Sequence, residues 1–260
     1  MTVAETGQTE PAQAPSPGSP RRPEGVRRSR DLRAYLVVLG GVMMLADLYL
    51  IFRVAPTDSI LGDVQRVFYF HVPIAIMSFL AFFLVFVASI AYLIKRTPGW
   101  DRLAQASAEV GVVFVTLALI TGVIWARPVW GVWWTWEPRL TTTMILWLIY
   151  VAYLMVRAYA SNPSQGARYS AVVGIVGFVD VPIVYYSVIW WRSIHPDPVV
   201  GPLSQQNSLE STMALVLLFS FVTLLILFVY LVAQRMALRN AEDQLGGIRS
   251  AMRRRAGSAL

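Results

Sequence analysis

Two side chains able to bind a metal through nitrogen stand alone in this 260-residue chain, because His71 and His195 are its only imidazoles. Each closes an apolar segment, in Phe70-His71-Val72-Pro73 and in Trp190-Trp191-Arg192-Ser193-Ile194-His195. Between them runs Trp130-Gly131-Val132-Trp133-Trp134-Thr135-Trp136-Glu137-Pro138-Arg139-Leu140-Thr141, with four tryptophans, a glycine, an acid and an arginine within twelve residues. Such a stretch is flat, aromatic and sparsely charged, which suits the face of a large planar ligand with an anionic edge. Two neutral imidazoles from different segments can take an iron from its opposite faces. A tryptophan platform with two imidazoles points to haem. A bare Zn²⁺ or Cu²⁺ site would call for a third or fourth ligand, the chain has no cysteine to offer, and the tryptophans would be left without a role.

Each of these residues also has a plainer reading. A lone histidine at a membrane boundary is often just hydrogen-bonded there. Tryptophans gather at interfaces for ordinary solvation reasons, which covers Trp100, Trp125 and Trp147 but fits Trp130, Trp133, Trp134 and Trp136 less well. If the loop is helical, positions 130, 133, 134 and 137 share one face, with Pro128 starting the turn. Arg127, Arg139, Arg192 and Arg66 are the cations near this side that could pair bidentately with haem propionates, or equally with lipid phosphates.

The elements that must position these groups are membrane helices. The chain is 56% hydrophobic with a mean hydropathy of +0.55, and six apolar segments are long enough to span a bilayer, near 34–52, 72–94, 108–125, 142–160, 169–191 and 211–234. The fold class read here is all-α, a polytopic six-transmembrane-helix bundle with an outward-facing tryptophan-rich loop over 126–141. Residues 1–33, with prolines at 11, 15, 17, 20 and 23, read as a disordered tail. Residues 34–234 form the membrane domain, and 235–260 a basic tail. The net charge of +7 does not call for nucleic acid, because its arginines cluster in tails and short loops. Seventeen cations fall on the side of both termini and five on the other, which places the termini in the cytoplasm and the loops 53–71, 126–141 and 192–210 outside. Absence of cysteine excludes disulfides, thiolate catalysis and self-attachment of haem through Cys-x-x-Cys-His. It also fits work in an oxidising space.

Local signals refine the picture. Pro73 is suited to the first turn of a helix, so the second span is expected to begin near Val72 with His71 at its mouth. Thr57-Asp58-Ser59 ahead of Ile60, Leu61, Val64, Val67 and Phe68 predicts a capped amphipathic helix lying on the membrane. His195, beyond Trp190-Trp191 and ahead of Pro196 and Pro198, is expected at a height similar to that of His71. Pro182 should kink the fifth span and re-aim its Trp190–His195 end. Asp47 and Asp180 lie within spans and are read as structural, and Glu109 and Glu210 as solvated at span ends.

The pattern Trp-Gly-x-Trp-Trp-x-Trp-acid-x-Arg-Leu-Thr resembles the "WWD" signature of haem-handling proteins of bacterial cytochrome c maturation. Together with Phe70-His71-Val72-Pro73, Asp180-Val181-Pro182-Ile183-Val184-Tyr185-Tyr186-Ser187-Val188 and Trp190-Trp191-Arg192-Ser193-Ile194-His195, it is similar to the heme exporter protein C (CcmC) family over roughly 35–235. The resemblance implies haem b, held non-covalently and transiently, with His71 and His195 as axial ligands of its iron. Trp130, Gly131, Trp133, Trp134, Trp136, Glu137, Arg139, Arg192 and Arg127 would be its further contacts. It implies delivery to the periplasmic haem chaperone CcmE, with an ABC transporter of CcmA and CcmB and the small subunit CcmD as partners. The place would be the bacterial inner membrane. Glu137 stands where the signature usually has Asp, which keeps the charge and lengthens the reach by one methylene.

Rival functions are a cytochrome c haem lyase of the CcsA or CcmF type, a transporter passing haem through its own bundle, and a subunit whose aromatic belt is merely structural. Lyases of that type are longer and carry further histidines, whereas none remain here, and only Asp47 and Asp180 lie deep enough to line a path. No nucleophile–base pair and no G-x-x-x-x-G-K-[ST] phosphate loop occurs, so the chain is read as a transfer subunit whose ATP is hydrolysed by a partner.

Overall fold

The computed structural model describes residues 24–257 apart from Arg192, Asp197, Val200, Leu203 and 205–208, with side chains from Arg33 to Ala256. The elements are α1 (Glu24–Tyr49) continued by a π-helical turn Leu50–Val54, a 3-10 turn Asp63–Val67, α2 (Phe68–Lys95), α3 (Pro98–Trp130), α4 (Pro138–Tyr159), α5 (Pro163–Phe178), α6 (Asp180–Trp190) and α7 (Ser211–Gly257). Six helical stretches are long and apolar enough to cross a membrane, with α5 and α6 forming one of them. The chain is an all-α, multi-pass membrane protein. One side of the bundle, the tail side, carries the start of α1 and the end of α7, and the other carries both histidines.

The α5–α6 break falls where the sequence places it. Pro182 has no N–H to give the Phe178 carbonyl, four residues back, and the helix interrupts at Val179. Three local expectations differ from the structure. Pro73 lies inside α2 rather than at its start, because the 3-10 turn Asp63–Val67 feeds directly into the helix five residues earlier. His71 therefore belongs to the first turn of α2. The segment after Thr57 is a turn, not a helix. The Asp58 carboxylate accepts from the amides of Ile60 (2.8 Å) and Leu61 (2.7 Å), and Gly62, at φ 56°, ends the turn in a conformation that favours glycine. Arg66 clamps this loop through Asp63 (3.0 Å), Thr57 (3.1 Å) and the carbonyls of Ile51 and Ala55, which removes it from the cations near a ligand.

α2 is the central helix, packed on α3, α5 and α7. Its crossing with α3 is tightest at Gly111, where an added Cβ would lie 2.7 Å from the Phe82 ring and 2.9 Å from Ala81 Cβ. Phe82 in turn stacks on Tyr150 of α4 at 3.7 Å between centroids. Around this contact Val85, Val115, Leu146, Tyr153 and Val184 close the middle of the bundle.

On the tail side the helices run past their apolar cores and pair by charge. α3 begins at Pro98, ten residues ahead of the expected span, because its extra turns are held by neighbouring helices. Asp101 accepts from Arg157 of α4 (Nη1–Oδ1 2.7 Å), and Arg102 donates to Asp243 of α7 (3.1 Å). Glu109, expected to be solvated, accepts instead from Arg235 and Arg239 of α7. Within the span, Ser220 of α7 donates to Asp47 of α1 at 2.8 Å. Asp180 is buried, and its Oδ2 has no partner among the described residues. α7 is one helix of 47 residues that continues through the basic tail, and α1 begins at Glu24. Residues 1–23 of the expected disordered tail lie outside the described residues.

Replacing Glu109 with Ala would leave two half-buried guanidiniums without their shared acceptor, a loss of about 1–3 kcal/mol. Arg102→Ala breaks an exposed pair worth about 0–1 kcal/mol. Thermal unfolding in detergent should therefore fall by several degrees in Glu109→Ala and hardly move in Arg102→Ala; equal shifts would show that the pairing around Glu109 is not what joins α3 to α7.

Candidate functional site

α3 delivers the first part of the site. Thr121, Gly122 and Trp125 lie on the helix face turned to α2, and His71 packs onto all three. Its Nδ1 is 2.9 Å from Thr121 Oγ1, its ring meets Trp125 edge-on at 5.8 Å, and a Cβ at Gly122 would come within 3.1 Å of His71 Cε1. Only glycine leaves the imidazole this room. The Thr121 hydroxyl donates to the Leu117 carbonyl at 2.8 Å.

α3 ends at Trp130 because Gly131 takes a left-handed conformation (φ 77°), its amide closing onto Arg127 O at 3.0 Å. Residues 131–137 are not helical, so the shared face expected for 130, 133, 134 and 137 does not form. Trp130 and Trp134 turn inward. Trp133 and Trp136 turn outward, 58% and 73% exposed, with Trp136 edge-on to Trp134 at 5.7 Å. Arg127 is exposed, donates to Gly131 O at 2.7 Å and lies over the Trp133 ring. Its work is at the end of α3.

Glu137 is the hinge of the site. It is the N-cap of α4, 8% exposed, accepting from the amides of Leu140 (2.6 Å) and Arg139 (3.2 Å), with Pro138 at the first helical position. The same carboxylate accepts from Ser193 Oγ, and Ser193 Oγ accepts the His195 amide at 3.1 Å. One acid thus caps a helix and ties down the segment that carries the second histidine. His195 meets Trp130 edge-on at 6.4 Å. Its Nδ1 stands 3.1 Å from Arg139 Nη1 and 3.0 Å from the Pro196 carbonyl. Arg139 also donates to Tyr185 O at 3.4 Å. Burial, and then the Arg139 guanidinium, hold His195 down to about 4, so the ring is neutral at pH 7.

His71, His195, Trp130, Trp134 and Arg139 line one cavity of about 330 Å³, within the range of ligand sites. The two imidazoles face the same cavity and lie near enough for the charge of His195 to act on His71. His71 sits against Thr121 and Trp125, whereas His195 sits against Trp130, where α3 ends. The walls are apolar, among them Phe68, Val72, Phe79, Val123 and Val184. Three wall residues carry buried polar atoms without a partner among the described residues, Trp125 Nε1, Trp134 Nε1 and Gln65 Oε1. Apolar walls, two indole N–H donors, a guanidinium and two imidazoles match the donor set that a porphyrin with carboxylate side chains requires. Trp133, Trp136, Arg127, Gly131 and Glu137 do not line the cavity, and Arg192 lies outside the described residues.

Sequence reasoning did not single out Thr121, Gly122 or Gln65, gave no role to Ser193 and Tyr185 within their motifs, and set Trp125 aside as an interfacial residue. The signal for the first two was available: a hydroxyl and a glycine side by side, one helical turn before Trp125 in an apolar helix. Trp147, also set aside, donates from Nε1 to Thr116 of α3 at 2.9 Å, within the bundle.

A profile described as heme exporter protein C matches residues 20–246 of this chain. The chain is similar to the heme exporter protein C of Bradyrhizobium diazoefficiens, 36% identical over 177 residues covering 68% of this chain and 67% of that one. It is similar to the heme exporter protein C of Escherichia coli K12, 32% identical over 185 residues covering 71% and 74%. A ccmC-like mitochondrial protein of cytochrome c biosynthesis from Marchantia polymorpha is 29% identical over 173 residues covering 66% and 73%.

Glu137→Ala should cost about 1 kcal/mol as a lost cap and also free the segment around His195, whereas Ser193→Ala should free that segment with the cap intact. Amide hydrogen exchange checks both: faster exchange at 193–196 in each variant, and at the start of α4 only in Glu137→Ala.

Proposed function

As the chain belongs to the heme exporter protein C family, we propose that it binds haem as cargo on its histidine side and hands it to a partner during cytochrome c maturation. The observation that carries this reading is that the only two imidazoles, 124 residues apart in sequence, line one cavity with Trp130, Trp134 and Arg139. His71 and His195 would hold the iron. The cation Arg139 and the unpartnered indole N–H groups of Trp125 and Trp134 would meet the propionates, and Trp130 and Trp134 would flank the ring. Haem brings the iron that both imidazoles can ligate; the chain's own part is to keep those rings neutral and oriented and to surround the porphyrin with apolar walls.

The charge bias of seventeen cations to five supports an orientation with both termini in the cytoplasm and the cavity at the outer face of a bacterial inner membrane. Delivery to the chaperone CcmE, and action with CcmA, CcmB and CcmD, are the partners that family membership suggests. Family membership suggests a transfer subunit, and the chain has no phosphate-loop motif of its own, so ATP would be hydrolysed by a partner. Passage of haem through the bundle is disfavoured, since Phe82, Val115, Leu146 and Tyr150 pack the middle without exposure to solvent.

Detergent-purified protein loaded with haem should show a low-spin absorption spectrum that is lost in His71→Ala and in His195→Ala. The two variants should differ in haem retained and in haem passed to the chaperone. A low-spin spectrum unchanged in either variant would end the axial assignment, and identical retention and delivery would end the division of roles.

A further inference from the structure

The two imidazoles are prepared in opposite ways. The Thr121 hydroxyl donates to Leu117 O at 2.8 Å and lies 3.2 Å from Ala118 O. Its single proton is therefore engaged by the helix backbone, and its oxygen accepts from His71 Nδ1, 2.9 Å away. This fixes the proton of neutral His71 on Nδ1 and leaves Nε2 with a bare lone pair, the arrangement that histidine ligands of metals adopt.

At His195 the neighbours of Nδ1 compete. Arg139 Nη1, which can only donate, stands 3.1 Å away, and the Pro196 carbonyl, which can only accept, stands 3.0 Å away. While the guanidinium is in place, Nδ1 accepts from it, and the proton of the neutral ring sits on Nε2, where it blocks ligation. Once the guanidinium is withdrawn, Nδ1–H donates to Pro196 O and Nε2 is bare. The exchange passes one proton from Nε2 to solvent and takes one back at Nδ1, so the charge of the ring does not change.

We propose that Thr121 is the positioning residue that commits His71 to ligation through Nε2, whereas Arg139 holds His195 in the non-ligating tautomer until an anionic ligand edge draws the guanidinium away. This rests on the haem reading and deepens it. His71 is the standing ligand and His195 the exchangeable one, taken up when a propionate engages Arg139 and given up first when that contact is broken. An arginine that favours a carboxylate over a neutral ring nitrogen follows from the greater strength of charge-assisted pairing.

With only two histidines, ¹⁵N-histidine labelling of the full-length protein gives two rings to follow, assigned with His71→Ala. Magic-angle-spinning spectra of ligand-free protein in lipid are expected to show His71 as the Nδ1–H tautomer and His195 as the Nε2–H tautomer. Thr121→Val should abolish the His71 preference and Thr121→Ser restore it, while Arg139→Gln should move His195 to Nδ1–H. Metal-free protoporphyrin IX, which has the carboxylates but no iron, should move His195 to Nδ1–H, and its dimethyl ester should not. Both rings in one tautomer without ligand, or His195 unmoved by the bound dicarboxylate, would overturn the proposal. Failure of both porphyrins to bind would overturn the haem reading and the coupling with it; it is told apart from failure of the tautomer assignment, which is read without ligand.

Discussion

The carboxylate of Glu137 ties the start of α4 to the segment after α6, which Arg139 also reaches at His195 and Tyr185. Four amides at the start of a helix need acceptors, and at the end of a membrane span a side-chain cap answers that need locally. Glu137 does so for α4 while its second partner, Ser193, comes from the segment after α6. That one contact sets where Arg139 emerges from the first turn of α4 and where the backbone of His195 is held. The spacing between the guanidinium and the ring depends on both. A shorter acid at this position would have to draw the helix start and the loop closer together to keep the same pair of contacts.

The opposite side of the bundle is built on different physics. Charged residues there pair across helices, as Glu109 does with Arg235 and Arg239, and the glycine crossing at Gly111 brings α2 and α3 together in between. The histidine side is left with few ionic ties among the described residues and an apolar hollow. Ion pairs between helices are concentrated where the tails are, and the room to accept a ligand lies at the other end.

The six spans were legible because roughly 30 Å of hydrocarbon demands about 20 apolar residues in a row, a constraint no loop can imitate. His71, Trp130, Trp134, Arg139 and His195 could be singled out because their types are rare and their chemistry converges. What could not be read was direction. Gly131 fits either a turn inside a helical loop or the end of α3, and only its left-handed backbone decides that Trp133 and Trp136 face away from the cavity. Pro73 satisfies the rule for a first helical turn, yet the 3-10 turn before Phe68 starts the helix sooner. Trp125 looks like any interfacial tryptophan until α2 is laid beside α3. Ser193 meets Glu137 from 56 residues away, so no local pattern marks that contact. Glu109 read as solvated because its donors, Arg235 and Arg239, come from α7, 126 and 130 residues later.

α7 carries a consequence of its own length. Its 47 residues make a rod of about 70 Å at about 1.5 Å per residue, more than twice the thickness of the hydrocarbon layer, so roughly half of it stands clear of the bilayer on the tail side. At its inner end Val216 and Leu217 pack with Phe68 and Tyr69, the residues just ahead of His71 in α2. One unbroken helix thus joins the two sides of the bundle, from the residues packed ahead of the first imidazole to the basic tail.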